Sequence, residues 1–314
     1  MTSLIGNAPV DGVDVAALLG IPISAEQERA VQAPLKPCAV IAGAGTGKTT
    51  VMAARVVWLV ASRLVSPEEI LGLTFTNKAT AELSERIESN LTRVGLLTSE
   101  QPRPTVATYD SFAGTLVNDY GAWDGISTGA HLITGARAYQ LAAEVVMGLD
   151  KAPLAATHMG PTFIAQAVVK LAGAMASHDA SPGKVRRADA RWRQMLLAAP
   201  TKRRGDRYAD IDKWLSRVDE REELLDLVAA YQNLKKERGL VEFGDRMVQA
   251  LHLVTHHPRV GEELRARYRV VLLDEYQDTS SAQADVLAAL FSGPDSAHGL
   301  SLIHICRCRR IERC

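Results

Sequence analysis

Residues 38–50 carry the residue types and spacing most clearly suited to chemistry. They read Cys-Ala-Val-Ile-Ala-Gly-Ala-Gly-Thr-Gly-Lys-Thr-Thr, an apolar run followed by a glycine-rich turn, a lysine and two threonines. Glycines let backbone N–H groups curl around phosphate oxygens, and a helix that begins there points its positive end at them. The stretch therefore predicts a phosphate-binding loop, with Ala42 where the strict pattern has glycine.

The loop also predicts roles for individual side chains. We expect Lys48 to reach the β- and γ-phosphates of a nucleotide, and the Thr49 hydroxyl to ligate Mg²⁺. The predicted nucleotide-binding residues of the loop are Ala42, Gly43, Ala44, Gly45, Thr46, Gly47, Lys48, Thr49 and Thr50.

A pair of acids far along the chain supplies the second half of this chemistry. Asp274 and Glu275 follow four consecutive apolar residues, 270–273, which indicate a strand buried on both faces. We expect Asp274 to hold Mg²⁺, and Glu275 to orient and deprotonate the water that attacks the γ-phosphate. Paired acids after a strand are common by chance, and their combination with the loop is what indicates phosphoryl transfer.

Two apolar strands, 39–42 and 70–75, and a third strand after a proline-flanked segment, 105–108, are each expected to precede a helix. This repeated order of strand, loop and helix predicts a parallel α/β sheet with functional residues at the carboxyl ends of its strands. Asn77 is the expected N-cap of the helix after the second strand. Ser24 and Gln27 fit a capping box before the first strand.

From about residue 115 to 240 the pattern becomes helical. Apolar periodicity indicates helices at 135–148, 162–176 and 219–237. The stretch 184–207 holds nine Lys or Arg residues against two Asp residues. Such a cluster fits either a solvated helix face or a nucleic-acid footprint, and both interpretations stay open.

Composition limits the class of protein. At 314 residues, 47% apolar and zero formal charge, the chain can form two domains or one domain with a large insertion. Three of its four cysteines lie in the last nine residues, so we expect no disulfide framework and a cytoplasmic location. The apolar run 51–65 contains Arg55 and Arg63, which predicts a core helix and no membrane span.

Three motifs carry a family resemblance: AGAGTGKT (42–49), LTFTNKATAEL (73–83) and DEYQDTS (274–280). Together they resemble the UvrD/Rep-like superfamily 1 DNA helicases, over roughly residues 23–113 and 240–290. The resemblance implies a P-loop NTPase fold of the α/β class, with a RecA-like parallel sheet and a helical insertion subdomain. The implied division is a lead-in at 1–22, domain 1A at 23–114 and 241–300, and subdomain 1B at 115–240.

The resemblance also implies residue roles. Gln27 would read adenine, although it fits a capping role alone, and Gln277 would sense the γ-phosphate. Phe75 would stack on DNA, although without the family it reads as a buried aromatic at a strand end. Asp110 stands where the family more often has His. The residues expected to contact single-stranded DNA are Phe75, Thr76, Asn77, Tyr109 and Ser111.

The activity implied is that of an ATP-dependent 3′→5′ DNA helicase acting in repair or replication. ATP and Mg²⁺ would be its cofactors, and single-stranded DNA with a duplex junction its partner. One alternative is the motor subunit of a helicase–nuclease that processes double-strand breaks. Another is a non-helicase P-loop ATPase that switches a protein partner.

The composition changes abruptly near residue 300. The family's next motif, similar to GDPxQSIYxWRG, is absent, and residues 301–314 read SLIHICRCRRIERC. We therefore expect this segment to be a non-native tail, and the sequence to stop before a second motor domain. Such a fragment is expected to bind nucleotide weakly and to be inactive in unwinding.

Overall fold

The computed structural model describes residues 12–20, 22–43, 45–127, 129–149, 160–201 and 207–292, and the backbone of 301–307. The chain divides into two compact units. Unit 1 comprises residues up to 116, 253–279 and 283 onward, and unit 2 comprises residues 117–252 and 280–282.

Helices and strands follow the predicted order closely. In chain order they are α1 Val15–Leu19, α2 Ala25–Val31, β1 Cys38–Ala42, α3 Lys48–Ala61, β2 Ile70–Thr74, α4 Asn77–Arg93, β3 Thr105–Thr108, α5 Tyr109–Tyr120, β4 His131–Leu132, α6 Gly135–Met147, α7 Pro161–Ser177, α8 Pro182–Leu197, α9 Ala209–Glu237, β5 Leu240–Val241, α10 Phe243–His256, α11 Pro258–Arg267, β6 Val270–Asp274, α12 Ser281–Phe291 and β7 Ser301–Arg307. The three strands predicted first are confirmed to within one residue. The helix predicted at 219–237 is α9, which begins ten residues earlier.

The strands of unit 1 form one parallel sheet in the order β1-β7-β6-β2-β3. All of β2 and the first four residues of β6 are buried, as expected for strands covered on both faces. Because the strands are parallel, the carboxyl ends of β1, β2, β3 and β6 lie along the same edge. The predicted P-loop NTPase fold is thus present.

Strand β7 is not among the strands that the sequence predicts. Its backbone pairs in parallel with β1 on one side and β6 on the other, with Ile303 opposite both Cys38 and Leu272. The segment contains Leu302, Ile303 and Ile305, residue types that fit a pleated surface. The interpretation of residues 301–314 as a non-native tail stays a prediction.

Helix α3 lies in the core of unit 1. Nine of its residues between Val51 and Val60 are buried, and they pack with β2 and β6 residues and with Leu83, Ile87 and Leu91 of α4. The prediction of a core helix in the run 51–65 is confirmed as far as Ala61, where α3 ends. Among the described residues, no helix combines the length and apolarity that crossing a membrane requires.

Unit 2 is a helical assembly with its own core. Apolar residues of α6, α7 and α9 make up this core, among them Leu141, Val168, Leu225, Val228 and Tyr231. A two-residue parallel pairing of β4 with β5 adds a minimal sheet.

Ion pairs with carboxylates of α9 engage part of the basic stretch 184–207. Arg186 donates to Glu222 and Asp226, each at 2.6 Å, and Arg193 pairs with Asp219. Arg207 pairs with Asp212 at 2.7 Å. Carboxylates of α9 thus neutralise three of the nine basic residues in this stretch, whereas Arg187 and Arg191 are exposed.

The second unit extends further than the predicted insertion. Residues 241–252, expected in domain 1A, lie in unit 2. Three hydrogen bonds hold this segment there. The nearly buried Lys235 donates to Glu242 and Asp245, each at 2.6 Å, and Tyr231 donates to Glu242 at 2.8 Å. The first boundary, predicted after residue 114, falls after 116.

Candidate active site

The glycine-rich loop leads from β1 into α3. Gly45 and Gly47 have φ of 77° and 79°, in the left-handed region that favours glycine, and the Thr46 hydroxyl donates to the Gly43 carbonyl at 2.9 Å. Gly47 is the N-cap residue of α3 and brings no side-chain cap. The first N–H groups of α3 are therefore left for an anion. Ala44 lies outside the described residues.

Gln27 touches the loop as well as capping α2. Its side-chain oxygen accepts from the Ser24 N–H at 2.9 Å and the Gln27 N–H donates to the Ser24 hydroxyl, which confirms the capping box. Its Nε2 donates to the Thr46 carbonyl at 3.0 Å. Gln27 therefore lies beside the loop with its amide already oriented, which is compatible with both interpretations of this residue.

Arg55 fastens the other end of α2, and this role is not evident from the sequence. The residue is buried on α3, and one terminal nitrogen donates to the carbonyls of Val31 and Ala33, both at 2.7 Å. The other donates to the Pro34 carbonyl at 3.3 Å. These carbonyls end α2 and begin the link to β1, so Arg55 holds the helix that carries Gln27 against the helix that follows the loop.

The acidic pair meets the loop at the carboxyl end of β6. Lys48 Nζ lies 3.0 Å from Glu275 Oε1, with both side chains largely withdrawn from solvent. Glu275 has φ of 49°, a left-handed conformation that costs a non-glycine residue about 1–2 kcal/mol. Backbone strain of this kind clusters at functional sites. The Gln277 amide donates to the Glu275 carboxylate and to Asp278 at 3.3 Å.

The Asp274 carboxyl lies in a distinct electrostatic environment. Burial raises the pKa of Asp274 above its ordinary value, and the negative charge of Glu275 raises it further. The Lys48 ammonium and the Glu275 backbone N–H oppose this shift. Asp274 and Glu275 therefore face the same lysine, Lys48, at the carboxyl end of β6.

Tyr109, one of the residues expected to contact DNA, is buried in the structure. Only 4% of it is exposed, and its hydroxyl donates to the Asp274 carbonyl at 3.1 Å. Its ring packs on Phe75, with centroids 5.1 Å apart. Tyr109 is therefore a link between the ends of β2 and β6, and a direct DNA contact by its side chain does not fit this burial.

The other residues expected to contact DNA are more accessible. Phe75 is partly buried, whereas Thr76, Asn77 and Ser111 are exposed. The prediction that Asn77 caps α4 is wrong. Thr76 is the N-cap and its hydroxyl accepts from the Ala79 N–H at 3.1 Å, because the helix starts one residue earlier than expected.

A further contact to the loop helix comes from Arg86 of α4. Its guanidinium donates to the Thr50 hydroxyl at 3.2 Å and to Glu82 at 2.8 Å. The spacing of Glu82 and Arg86 is the one sequence signal for this contact, since residues four apart on a helix share a face. That spacing does not reveal Thr50 as the second partner.

Comparisons with known proteins agree with this geometry. Residues 23–304 match the model of the UvrD/REP helicase N-terminal domain. The chain is 26% identical over 272 residues to DNA helicase II of Rickettsia typhi, covering 86% of this chain and 36% of that protein. It is 27% identical over 288 residues to the ATP-dependent DNA helicase UvrD1 of Mycobacterium bovis, covering 90% and 32%.

A third relative, DNA helicase II of Haemophilus influenzae, is 28% identical over 272 residues, which are 86% of this chain and 32% of that protein. The chain thus spans about a third of the length of these curated relatives. The matched family region nevertheless includes the glycine-rich loop, the acidic pair and all of unit 2. The chain therefore belongs to the UvrD/REP helicase N-terminal domain family.

Proposed function

We propose that this chain binds ATP at the carboxyl edge of its sheet and forms the N-terminal motor part of an ATP-dependent DNA helicase. The observation that carries the proposal is the 3.0 Å contact between Lys48 and Glu275. These residues lie more than two hundred positions apart in the sequence, yet both come to the edge where a nucleotide's phosphates would bind.

In this proposal the phosphates of ATP compete with Glu275 for Lys48. When Lys48 turns to the β- and γ-phosphates, Glu275 is released to orient the attacking water and accept its proton. Gln277, which already holds the Glu275 carboxylate, would respond to the presence of the γ-phosphate. The loop N–H groups bind phosphate oxygens, and Gln27 is the residue available to read adenine.

Two side chains fit a Mg²⁺ ion. Thr49 and Asp274 offer the oxygen ligands that this ion prefers. Burial, and then the charge of Glu275, raises the pKa of Asp274 although Lys48 opposes the shift, and a bound cation would oppose it further. The described residues contain no group of three or more His, Cys, Asp or Glu suited to a metal, which fits an ion completed by phosphates and water. When bound, Mg²⁺ would neutralise charge on the phosphates.

Single-stranded DNA is proposed to pass along the ends of β2 and β3, where Phe75, Thr76, Asn77 and Ser111 lie. Contact between the rings of Phe75 and Tyr109, and between Tyr109 and the Asp274 carbonyl, supplies a route from DNA to the nucleotide. A 3′→5′ direction, a duplex junction as substrate, a role in repair or replication and a cytoplasmic location belong to the same proposal.

The test is Mg²⁺-dependent binding of a fluorescent ATP analogue to the chain and its variants. Lys48→Ala should weaken binding by about tenfold or more, because the phosphates lose a charged hydrogen-bond donor. The matched control is Lys36→Ala, an exposed lysine just before β1, which should bind as the parent does. Equal binding by Lys48→Ala and the parent would refute the site. ATP turnover unaffected by single-stranded DNA, in a protein that includes the second motor domain, would favour the protein-switch alternative.

A further inference from the structure

Two tryptophans lie side by side on the surface of unit 2. Trp192 of α8 and Trp214 of α9 are each 48% exposed, and their rings are nearly parallel, with an interplanar angle of 10° and centroids 6.3 Å apart. The Arg217 guanidinium lies 5.0 Å from the centroid of the Trp214 ring. Met195, one turn beyond Trp192, is 68% exposed. We call these four residues the tryptophan patch.

The charged side chains around this patch that are not engaged in ion pairs are mainly basic. Carboxylates of the hairpin formed by α8 and α9 are engaged by its arginines: Asp189 by Arg221, Asp219 by Arg193, and Glu222 and Asp226 by Arg186. Within the described part of the chain, four exposed cations of the same hairpin make no ion pair: Arg187, Arg191, Lys213 and Arg217. Two acids of α9 oppose them: Asp210, one turn before Trp214, and Glu220, one turn beyond Arg217.

Flat aromatic faces beside unpaired cations are the chemistry that binds unpaired nucleotides. Bases stack on aromatic rings irrespective of sequence, arginine adds a cation–π contribution, and the remaining cations neutralise phosphates. We propose that the tryptophan patch is a binding site for single-stranded nucleic acid, with bases stacked on Trp192 and Trp214 and phosphates held by Arg191 and Arg217.

The charge of the patch is what selects this occupant. A duplex hides the faces of its bases, so it has phosphates for the cations but no surface for the two rings. A protein partner would have to be acidic to match the cations, and it has no nucleobases to stack on the two rings. The proposed site is in unit 2, contains none of the strand-end residues of unit 1, and is independent of ATP binding.

The first test is fluorescence anisotropy of a labelled oligothymidylate titrated with the full chain in the absence of nucleotide. Trp192→Ala combined with Trp214→Ala should weaken binding by about tenfold or more, given about 1–3 kcal/mol per stacked base. Replacing both tryptophans by Phe should restore much of the affinity. The matched control is Trp123→Ala, a residue that is also 48% exposed but packs edge-on against Tyr120.

Two further readouts separate stacking from damage to the fold. Oligothymidylate should quench the tryptophan emission of the parent and of Trp123→Ala. This measurement uses proteins in which the tryptophan patch is unaltered, so it does not depend on how a substitution affects the fold. Arg191→Ala with Arg217→Ala should lower the slope of log affinity against log salt by about 0.7 for each phosphate that is no longer neutralised. Arg186→Ala, whose side chain is committed to Glu222 and Asp226, should leave that slope unchanged.

The proposal is overturned if oligothymidylate neither quenches tryptophan emission nor binds more weakly to the Ala–Ala variant. It is also overturned if the Ala–Ala variant loses affinity equally for oligothymidylate and for a blunt duplex. The first result would favour an acidic protein surface as the occupant, and the second would show that the two rings do not select unpaired bases.

Discussion

Charged side chains cluster both at the sheet edge of unit 1 and along the seam between α8 and α9 in unit 2, but they are balanced differently. At the sheet edge, Asp274 and Glu275 both face Lys48. Glu275 adopts a left-handed backbone there, and burial raises the pKa of Asp274. In the seam, Arg186 and Arg193 instead meet well-placed carboxylates of α9.

The difference shows how a charge cluster should be interpreted. A partly buried cluster with a strained backbone and a raised carboxyl pKa is suited to a ligand, whereas charges that pair across two helices mainly hold those helices together. Arg193 and Asp219 are 26 residues apart, and Arg186 and Asp226 are 40 residues apart. A count of charges within a short window cannot include such partners, so the basic stretch looked more available than it is.

The largest expected effect tests whether Glu275 acts on a ligand. In a protein that includes the second motor domain, Glu275→Gln should slow ATP hydrolysis by about 10²–10⁴-fold, because an amide cannot accept the proton of the attacking water. ATP affinity should be retained or increased, because Lys48 loses its competing partner. Phosphate release and analogue binding measure the two effects. Normal turnover in this variant would show that Glu275 is not the base and that its contact with Lys48 is structural.

Arg55 is the contrasting case inside unit 1, a buried charge whose contacts are structural. Arg55→Leu should lower the free energy of unfolding by about 2–4 kcal/mol, because several buried carbonyls lose a charged donor. Urea denaturation measures this change. Arg29→Leu, whose side chain is 78% exposed, is the control and should change stability by less than about 0.5 kcal/mol. A negligible effect of Arg55→Leu would show that α2 does not depend on this anchor.

The smallest effects should appear in the seam itself. Asp189 is 4% exposed and accepts a hydrogen bond from Arg221 Nε at 2.8 Å. Asp189→Ala should therefore lower the free energy of unfolding by about 1–3 kcal/mol. Asp219 pairs with Arg193 at the surface, so Asp219→Ala should lower the free energy of unfolding by less than about 1 kcal/mol. Thermal or urea unfolding of the two variants gives the ranking. The reverse ranking would mean that burial does not set the strength of these pairs.

Local patterns predict a large part of the fold and of the site. Strands β1, β2 and β6 are recognisable because mainly apolar runs end at loops with distinct chemistry, and β3 because it follows a proline-flanked segment and precedes a helix. The Ser24–Gln27 capping box is also readable, since both partners lie within one turn. Errors arise where one residue decides the outcome: Thr76 caps α4 in place of Asn77, because its own hydroxyl reaches the free N–H of Ala79.

Contacts between distant segments are the part that the sequence pattern leaves open. Residue types alone indicate that Lys48 meets phosphate and that Asp274 and Glu275 follow a strand, since these depend on neighbours along the chain. Only the packed structure assigns Tyr109 to the Asp274 carbonyl, Arg55 to the end of α2 and Arg186 to α9. The physical reason is that a side chain's partner across space depends on which helices and strands pack together, and that choice is made by the burial of the whole core.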